Sequence, residues 1–352
     1  MKTIRIDDLR NFSVRALRKA GVDETDAAVI AEALVTTDLF GVFSHGTKNL
    51  LNYILKIQAG GLNPKAVPTV EAEGPAWAML NGNAAMGMVS ATRGMELAVA
   101  KAGTTGIGYV GVRNSCHFGA AGYYANLAAK RGMIGIAMSN ADPNMAIPNS
   151  SCVAIGNNPF SFAAPLPNGK SVFLDIALSN VAALKVVMAK EKGMSVPKEW
   201  LVDSDGRPTG DPSGFPGKSF LQPMAAHKGY GLAVMVELLA SVLTGSGLLS
   251  EVKSWNLDLA TPNNVGHAFI AVDISQILPM ELFEARMAQL ADELHSADKA
   301  KGADRIYLPG EMEWEKYDAA LRSGQLQLTD TMAENLAKLS GMFQIELKMI
   351  NQ

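Results

Sequence analysis

The stretch GIGYVGVRNSCHFGAAGYYANLAAKRG, residues 106–132, decides the fold. Gly106, Gly108 and Gly111 have the G-x-G-x-x-G spacing of a dinucleotide-binding fingerprint. That fingerprint works when the glycines follow a strand and open a helix whose first amides receive a pyrophosphate. Here the order is reversed. A helical pattern over 84–102, ending at Gly103, comes first, and the glycines run into the β-type residues Tyr109, Val110 and Val112. The acidic residue that should contact a ribose ~20 positions later is missing too, because no Asp or Glu stands between Val112 and Ala141. The glycines read as a tight helix-to-strand connection, and a Rossmann domain is set aside.

The residues beyond this strand carry more chemistry. The strand pattern GYVGV stops at the turn Arg113–Cys116, and HFGAAGYYANLAAKRG reads as a helix start and body closed by Lys130, Arg131 and Gly132. Gly119, Ala120, Ala121 and Gly122 give that start almost no side-chain bulk, so free N–H groups there suit an anionic or planar ligand. His117 stands at its mouth; the plainer alternative is close helix packing beside a structural histidine. A second histidine occupies a matching setting in GVFSHGTKNLLNY, residues 41–53, where Ser44 reads as an N-cap and His45 as a first-turn residue. A helix N-terminus disfavours imidazolium. A neutral ring there can take a proton from an alcohol and return it to a carbonyl.

Further out, Leu9, Phe12, Ala16 and Leu17 share a helix face that Gly21 terminates, and Asp23 can cap a second helix carrying Ile30 and Leu34. Leu50, Ile54 and Ile57 keep helical phase up to Gly60-Gly61. IGIAMS, FSFAAP, SVFLDI and HAFIAVDI read as strands. The turn-rich segment Val202–Pro223 reads as a long loop, and its DSDG, 203–206, as a turn lacking the later ligands of a calcium loop. GYGLAVMVELLASVLTG reads as a helix, and the C-terminus as helical.

The bulk numbers bound the function. The chain has 352 residues, 48% hydrophobic and 18% charged, with a net charge of -3, which is the balance of a folded protein of two or three domains. Without a basic patch, nucleic-acid and membrane-surface partners are not expected. No apolar run approaches the ~18 residues of a membrane span, and MKTIRIDDLRNF lacks the apolar core of a secretory signal. Cys116 and Cys152 are the only cysteines, too few for a disulfide framework or a cysteine metal site. A cytoplasmic enzyme is the expectation.

Seven segments in order resemble the malate/L-lactate dehydrogenase family that is unrelated to Rossmann-type lactate dehydrogenases. They are FGVFSHGTKNLLNYILKIQAGGLNP, VRNSCHFGAAGYYANLAAKRGMIGIAMSNADP, IGNNPFSFAAP, FLDIALS, DSDGRPTGDP, HKGYGLAVMVELL and RIYLPGE. The resemblance implies a mixed α/β, non-Rossmann fold. It would have a helical domain (1–75, joined by 312–352), a mixed substrate domain (76–125 and 225–311) and a cofactor domain (126–224) on a largely antiparallel sheet. It also implies a homodimer and an NAD or NADP cofactor, with NAD favoured. The expected reaction interconverts a small 2-hydroxy acid and its 2-oxo acid by hydride transfer. A diketo sugar acid or cyclic imine reductase, or a silent nucleotide-binding homologue, is the alternative.

By the same resemblance His45 is the proton donor with Ser44 as its relay, and His117 lies beside the nicotinamide as a second acid–base candidate. His117, Phe118, Gly119, Ala120 and Ala121 contact cofactor, as do Asp175, Ile176 and Ala177. His227 and Lys228 face the cofactor phosphates, and Arg305, Leu308, Pro309, Gly310 and Glu311 touch the adenosine half. Lys228 at a glycine-rich helix start is physically apt for a phosphate. This chain departs from the pattern at Asn49, where many members carry a carboxylate-gripping Arg. Lys48 can substitute only as a point charge. Lys185 and Tyr53 complete the substrate-side candidates, with no metal expected.

Overall fold

Leu9, Phe12, Ala16 and Leu17 are all buried, and they begin a helical layer that the two ends of the chain build together. The computed structural model describes residues 2–351. The chain opens with β1 (Lys2–Arg5) and α1 (Ile6–Lys19), followed by α2 (Glu24–Leu39) and α3 (Leu50–Gln58). β2 (Thr69–Gly74) and β3 (Trp77–Asn81) lead to α4 (Gly87–Thr105), β4 (Ile107–Ser115), α5 (Ala121–Ala129) and β5 (Met133–Ser139). The short strands β6 (Met145–Ala146) and β7 (Val153–Ile155) precede the hairpin β8 (Phe160–Pro165) and β9 (Ser171–Ile176). Next come α6 (Ala183–Glu191), β10 (Leu201–Asp203), β11 (Pro208–Thr209), β12 (Ser219–Leu221) and α7 (His227–Glu237). α7 runs into a π-helical turn, Leu238–Val242, before β13 (Val265–Asp273) and α8 (Met280–His295). The chain closes with α9 (Glu311–Ser323), β14 (Gln325–Gln327), α10 (Asp330–Phe343) and β15 (Met349–Asn351).

Seven strands form the central sheet in the order β2-β3-β4-β13-β5-β8-β9. Neighbours are antiparallel throughout except β3 and β4, so the fold is the mixed α/β, largely antiparallel one expected. The sheet crosses the 125/126 boundary, since β4 and β13 pair in it with β5. α4 and α5 cover one face, while α7 and the π-helical turn pack on the other. β1 pairs with both β14 and β15, which returns α9 and α10 to α1, α2 and α3. One apolar core joins this helical layer to the α4–α5 face, and a second lies on the opposite side of the sheet, under α6 and α7. Each fully buried large side chain contributes ~1.5–3 kcal/mol.

The opening motif works as a connection. Gly106 takes φ +82° and ends α4. At Gly108 a Cβ would lie 2.2 Å from the Ala98 carbonyl oxygen, so its absence lets α4 lie directly on β4. Gly103 does not stop that helix, which runs on to Thr105. A glycine inside a helix costs only ~1 kcal/mol, whereas a terminator needs the left-handed conformation. β4 likewise extends through the expected turn to Ser115, where β13 still supplies a partner, and α5 begins only at Ala121. Asp23 stands at the N-cap of α2 but makes no side-chain cap bond.

The expected Val202–Pro223 loop is instead part of a second sheet, ordered β11-β10-β12-β6-β7. Asp203 Oδ1 accepts the N–H groups of Asp205 and Arg207, each at 2.9 Å, which turns DSDG into the bend of a hairpin between β10 and β11. Strands of two or three residues are too short to leave an alternating pattern. The C-terminus, expected helical, ends on β15 for the same reason.

Candidate active site

A cleft of about 720 Å³ opens between the α2–α3 turn, the start of α5, the end of β9 and a loop around residue 255. That volume is within the usual range for a small-molecule or cofactor site.

The turn between α2 and α3 carries Ser44 and His45. The expectation that Ser44 caps a helix is wrong. A short 3₁₀ segment begins only at Thr47, with Gly46 at its cap, and α3 starts at Leu50. Ser44 Oγ instead meets His45 Nδ1 at 2.8 Å. Burial, with the Lys48 charge adding to it, pushes the His45 imidazole down to about 4. The ring is neutral, as expected, but desolvation rather than a helix dipole makes it so. Two side chains fix the turn. Asp38, fully buried, accepts the Thr47 N–H at 3.0 Å and its hydroxyl at 2.6 Å, and burial pushes its carboxyl up to about 7. Asn49 Nδ2 donates to the Ser44 carbonyl at 2.8 Å. Asn49 therefore shapes the turn, and Lys48 is the cation beside His45.

His117 faces His45 with ring centroids 5.7 Å apart and planes at 25°. On its other side lies Trp255, stacked at 4.3 Å and 12°, and Trp255 also stacks on Tyr53 at 5.2 Å. Tyr53 Oη bonds His117 Nδ1 at 2.6 Å, and the Gly119 N–H donates to the same nitrogen at 3.4 Å. A backbone amide can only donate, so Nδ1 is the acceptor and the neutral ring carries its proton on Nε2. Burial, then His45 and His267, hold this imidazole well below its usual range. His117 is thus locked as a neutral Nε2–H donor. Burial also drives the Tyr53 phenol well above its ordinary value, so its hydroxyl keeps the donating proton.

The start of α5 forms the neighbouring wall. Gly119, Ala120, Ala121 and Gly122 all line the cleft, but the amides are not all free as expected. Asp175, at the end of β9, accepts the Gly122 N–H on Oδ2 at 2.8 Å. Burial pushes the Asp175 carboxyl up to about 6, with the Gly122 bond opposing and Glu313 reinforcing. A carboxylate at this helix mouth repels a phosphate, so the wall suits a planar, uncharged ring or a sugar hydroxyl.

The remaining expected residues divide. Ile176, Ala177, Phe118, Pro309 and Gly310 line the cleft with those above. Tyr53 is wholly buried behind it, acting through His117. Lys185 lies outside the lining, although Ala183 and Leu184 of the same helix belong to it. His227 and Lys228 open α7, as expected of a helix start, but are exposed and away from the lining. Arg305 pairs with Glu311 at 3.2 Å and also with Glu315. Glu311 accepts the Leu308 N–H at 2.9 Å, so this trio shapes the 305–311 loop and leaves Pro309 and Gly310 facing the cleft. Sequence reasoning missed Asp38, Lys253, Trp255 and Asn256. Nothing in KSWN, 253–256, has a spacing that announces a site; only contact with His117 does. Among the described residues no group of His, Cys, Asp and Glu could hold a metal ion, and no helix is long and apolar enough to cross a membrane.

The profile of a family described as malate/L-lactate dehydrogenase matches residues 4–337. The chain is 38% identical over 325 residues to malate dehydrogenase of Pyrococcus abyssi, covering 90% of this chain and 89% of that one. It is 34% identical over 305 residues to the NAD(+) ureidoglycolate dehydrogenase of Escherichia coli K12, covering 87% and 86%. Among solved structures, sulfolactate dehydrogenase from Methanocaldococcus jannaschii superposes with a TM-score of 0.91 at 31% identity, covering 99% of this chain and 98% of that one. Malate dehydrogenase from Entamoeba histolytica superposes at 0.92 and 31% identity, covering 99% of each chain.

Proposed function

The chain belongs to the malate/L-lactate dehydrogenase family, and from that premise we propose that it interconverts a small 2-hydroxy acid and its 2-oxo acid with His45 as the acid–base group. The observation that carries this reading is the facing pair His45 and His117, 5.7 Å apart in one cleft. Their two nitrogens are differently committed. His117 Nδ1 is filled by Tyr53, which leaves an Nε2–H donor to hold a substrate oxygen. His45 Nδ1 contacts Ser44, so its Nε2 can take the hydroxyl proton while Ser44 Oγ accepts the Nδ1–H of the charged ring. In reduction the same proton returns to the carbonyl oxygen. Lys48 supplies the positive charge for the substrate carboxylate, as a point charge in place of a guanidinium fork.

A nicotinamide, when bound, supplies the hydride chemistry. The small-residue wall Gly119–Gly122 with Asp175–Ala177 fits its planar ring and ribose, a surface shared between the segments 76–125 and 126–224. NAD is the favoured form. Glu313 lines the cleft together with Pro309 and Gly310, and among the described residues no arginine does. Arg305 is already neutralised by Glu311 and Glu315 and lies over the Tyr307 ring. A 2′-phosphate seated near Pro309 and Gly310 would meet the Glu313 carboxylate.

We read the working form as a homodimer. α7 and its π-helical continuation bury Ala233, Val236 and Ala240. On the opposite side they leave Met235, Leu238, Val242 and Leu243 each at least half exposed. An apolar stripe of that kind marks an interface.

A panel of 2-oxo acids, a diketo sugar acid and a cyclic imine, each with NADH and NADPH, tests the reaction class. His45→Ala should abolish turnover of the preferred 2-oxo acid while fluorescence titration still shows cofactor binding. Retention of a near-wild-type rate would remove His45 from the mechanism.

A further inference from the structure

Lys56 is fully buried on α3, yet among the described residues no carboxylate forms a salt bridge with it. Its Nζ donates to the carbonyl oxygens of Asp258 at 2.6 Å and Thr261 at 2.7 Å. A buried ammonium is tolerated only when its hydrogens find acceptors, and here a single loop accepts two of the three. That loop, 253–263, brings Lys253, Trp255 and Asn256 to the cleft. Other bonds pull the same way. Asn52 Nδ2 reaches the Trp255 carbonyl at 3.3 Å, and Asn263, bonded by Cys116 Sγ at 2.8 Å, donates to the Lys253 carbonyl at 2.6 Å.

The pair Gly60-Gly61 gains a second meaning from this contact. Gly60, with φ +89°, ends α3 as the sequence suggests. Gly61 has no such conformation; a Cβ there would lie 2.3 Å from the Leu259 carbonyl oxygen and 2.9 Å from Lys56 Nζ. Its bare backbone is what lets the loop settle onto the helix end. Trp255 anchors one end of the loop by stacking on Tyr53 and His117, whereas Leu257 beyond it is 85% exposed, so the 258–261 end depends on Lys56.

We propose that Lys56 is a positioning residue: with Gly61 it clamps the 253–263 loop onto α3, so that Trp255 holds the His117 ring in its donating orientation against the substrate oxygen. The inference rests on the function proposed above. The clamp acts on one wall only. The Gly119–Gly122 and Asp175–Ala177 wall is built from other elements, so cofactor binding is left alone.

The test compares Lys56→Met, which keeps the length of the side chain, with Trp255→Ala and the double variant in the full-length enzyme. Hydrogen exchange of 253–263 should accelerate in Lys56→Met. KM for the preferred 2-oxo acid should rise about tenfold and kcat fall, with the NADH dissociation constant unchanged. Because Lys56 acts through Trp255, the double variant should be no worse than Trp255→Ala alone, and Trp255→Phe should recover most of the activity. Gly61→Ala, which pushes the loop from beneath, should reproduce the Lys56→Met pattern if that variant fails to fold. Multiplying effects in the double variant, or unchanged exchange with unchanged kinetics, would overturn the proposal. Absence of wild-type turnover with every 2-oxo acid, alongside accelerated exchange in Lys56→Met, would instead refute the reaction and leave the clamp standing.

Discussion

Replacing Tyr53 by Phe removes one atom and isolates the lock on His117. The phenol ring is fully buried and stacked on Trp255, so Phe keeps the packing and deletes only the hydroxyl. His117 Nδ1 then loses its 2.6 Å donor and retains only the Gly119 amide at 3.4 Å, a bond at the edge of the useful range. Leaving a buried acceptor that poorly satisfied costs ~1–3 kcal/mol. If that energy orients His117 in the transition state, kcat/KM for 2-oxo acid reduction falls roughly 5- to 150-fold, at 1.36 kcal/mol per factor of ten. Steady-state reduction by NADH at neutral pH reads the rate, and fluorescence titration shows whether cofactor affinity is retained. Imidazole ¹⁵N shifts report the tautomer directly, with Nε2–H dominant in the wild type and mixed in the variant. A variant within twofold of the wild type, with the same tautomer, would show that the hydrogen bond is structural decoration and that His117 has no fixed role as donor.

The same geometry sets other expectations. With the His45 imidazole lowered to about 4, the base stays neutral down to that pH. kcat/KM for hydroxy acid oxidation should therefore break near pH 4 rather than near 6.5, as initial rates across a pH series would reveal. His267 is buried between Ser139 and Ser115, 2.9 Å from each, and burial lowers it to about 3. Its folded value lies below its unfolded one, so the unfolded chain binds the extra proton. Stability from this group is full above pH 6.5 and is lost as pH falls toward 3, by several kcal/mol in all. Asp38 and Asp175, raised to about 7 and about 6, act with the opposite sign over this range, so the readout is a difference: between pH 4 and 7 urea midpoints should gain less with rising pH in His267→Gln than in the wild type, and equal slopes would contradict the assignment. Glu313→Arg should raise the NADPH-to-NADH ratio of kcat/KM about tenfold or more, since a repulsive charge becomes attractive; an unchanged ratio would place the 2′ position elsewhere.

Local chemistry made a good part of this protein legible in its sequence. The reversal of helix and glycines at 103–112 argues against a Rossmann unit from sequence, because a glycine motif receives a phosphate when it follows a strand and opens a helix. The strands β4, β5, β8, β9 and β13, and the apolar faces of α1, α2 and α3, arise from periodicity and turn residues over nearby positions. His117 stood out because a run of small residues and a helix start follow it, and His45 because Ser44 before it reads as an N-cap, a reading the structure corrects. Element types and the acid–base candidates were thus written locally, while the fold class followed from the resemblance of seven ordered segments to a known family.

What only the tertiary structure decided depends on groups far apart in the chain. The α5 amide that looked open is filled by Asp175, 53 positions away. The tautomer of His117 is set by Tyr53, 64 positions away, and its stacking partner Trp255 arrives on a loop that Lys56 holds from 202 and 205 positions off. Burial, not a helix end, neutralises His45. Desolvation and long-range hydrogen bonds are properties of packed surroundings, and no window of sequence contains the surroundings of a residue.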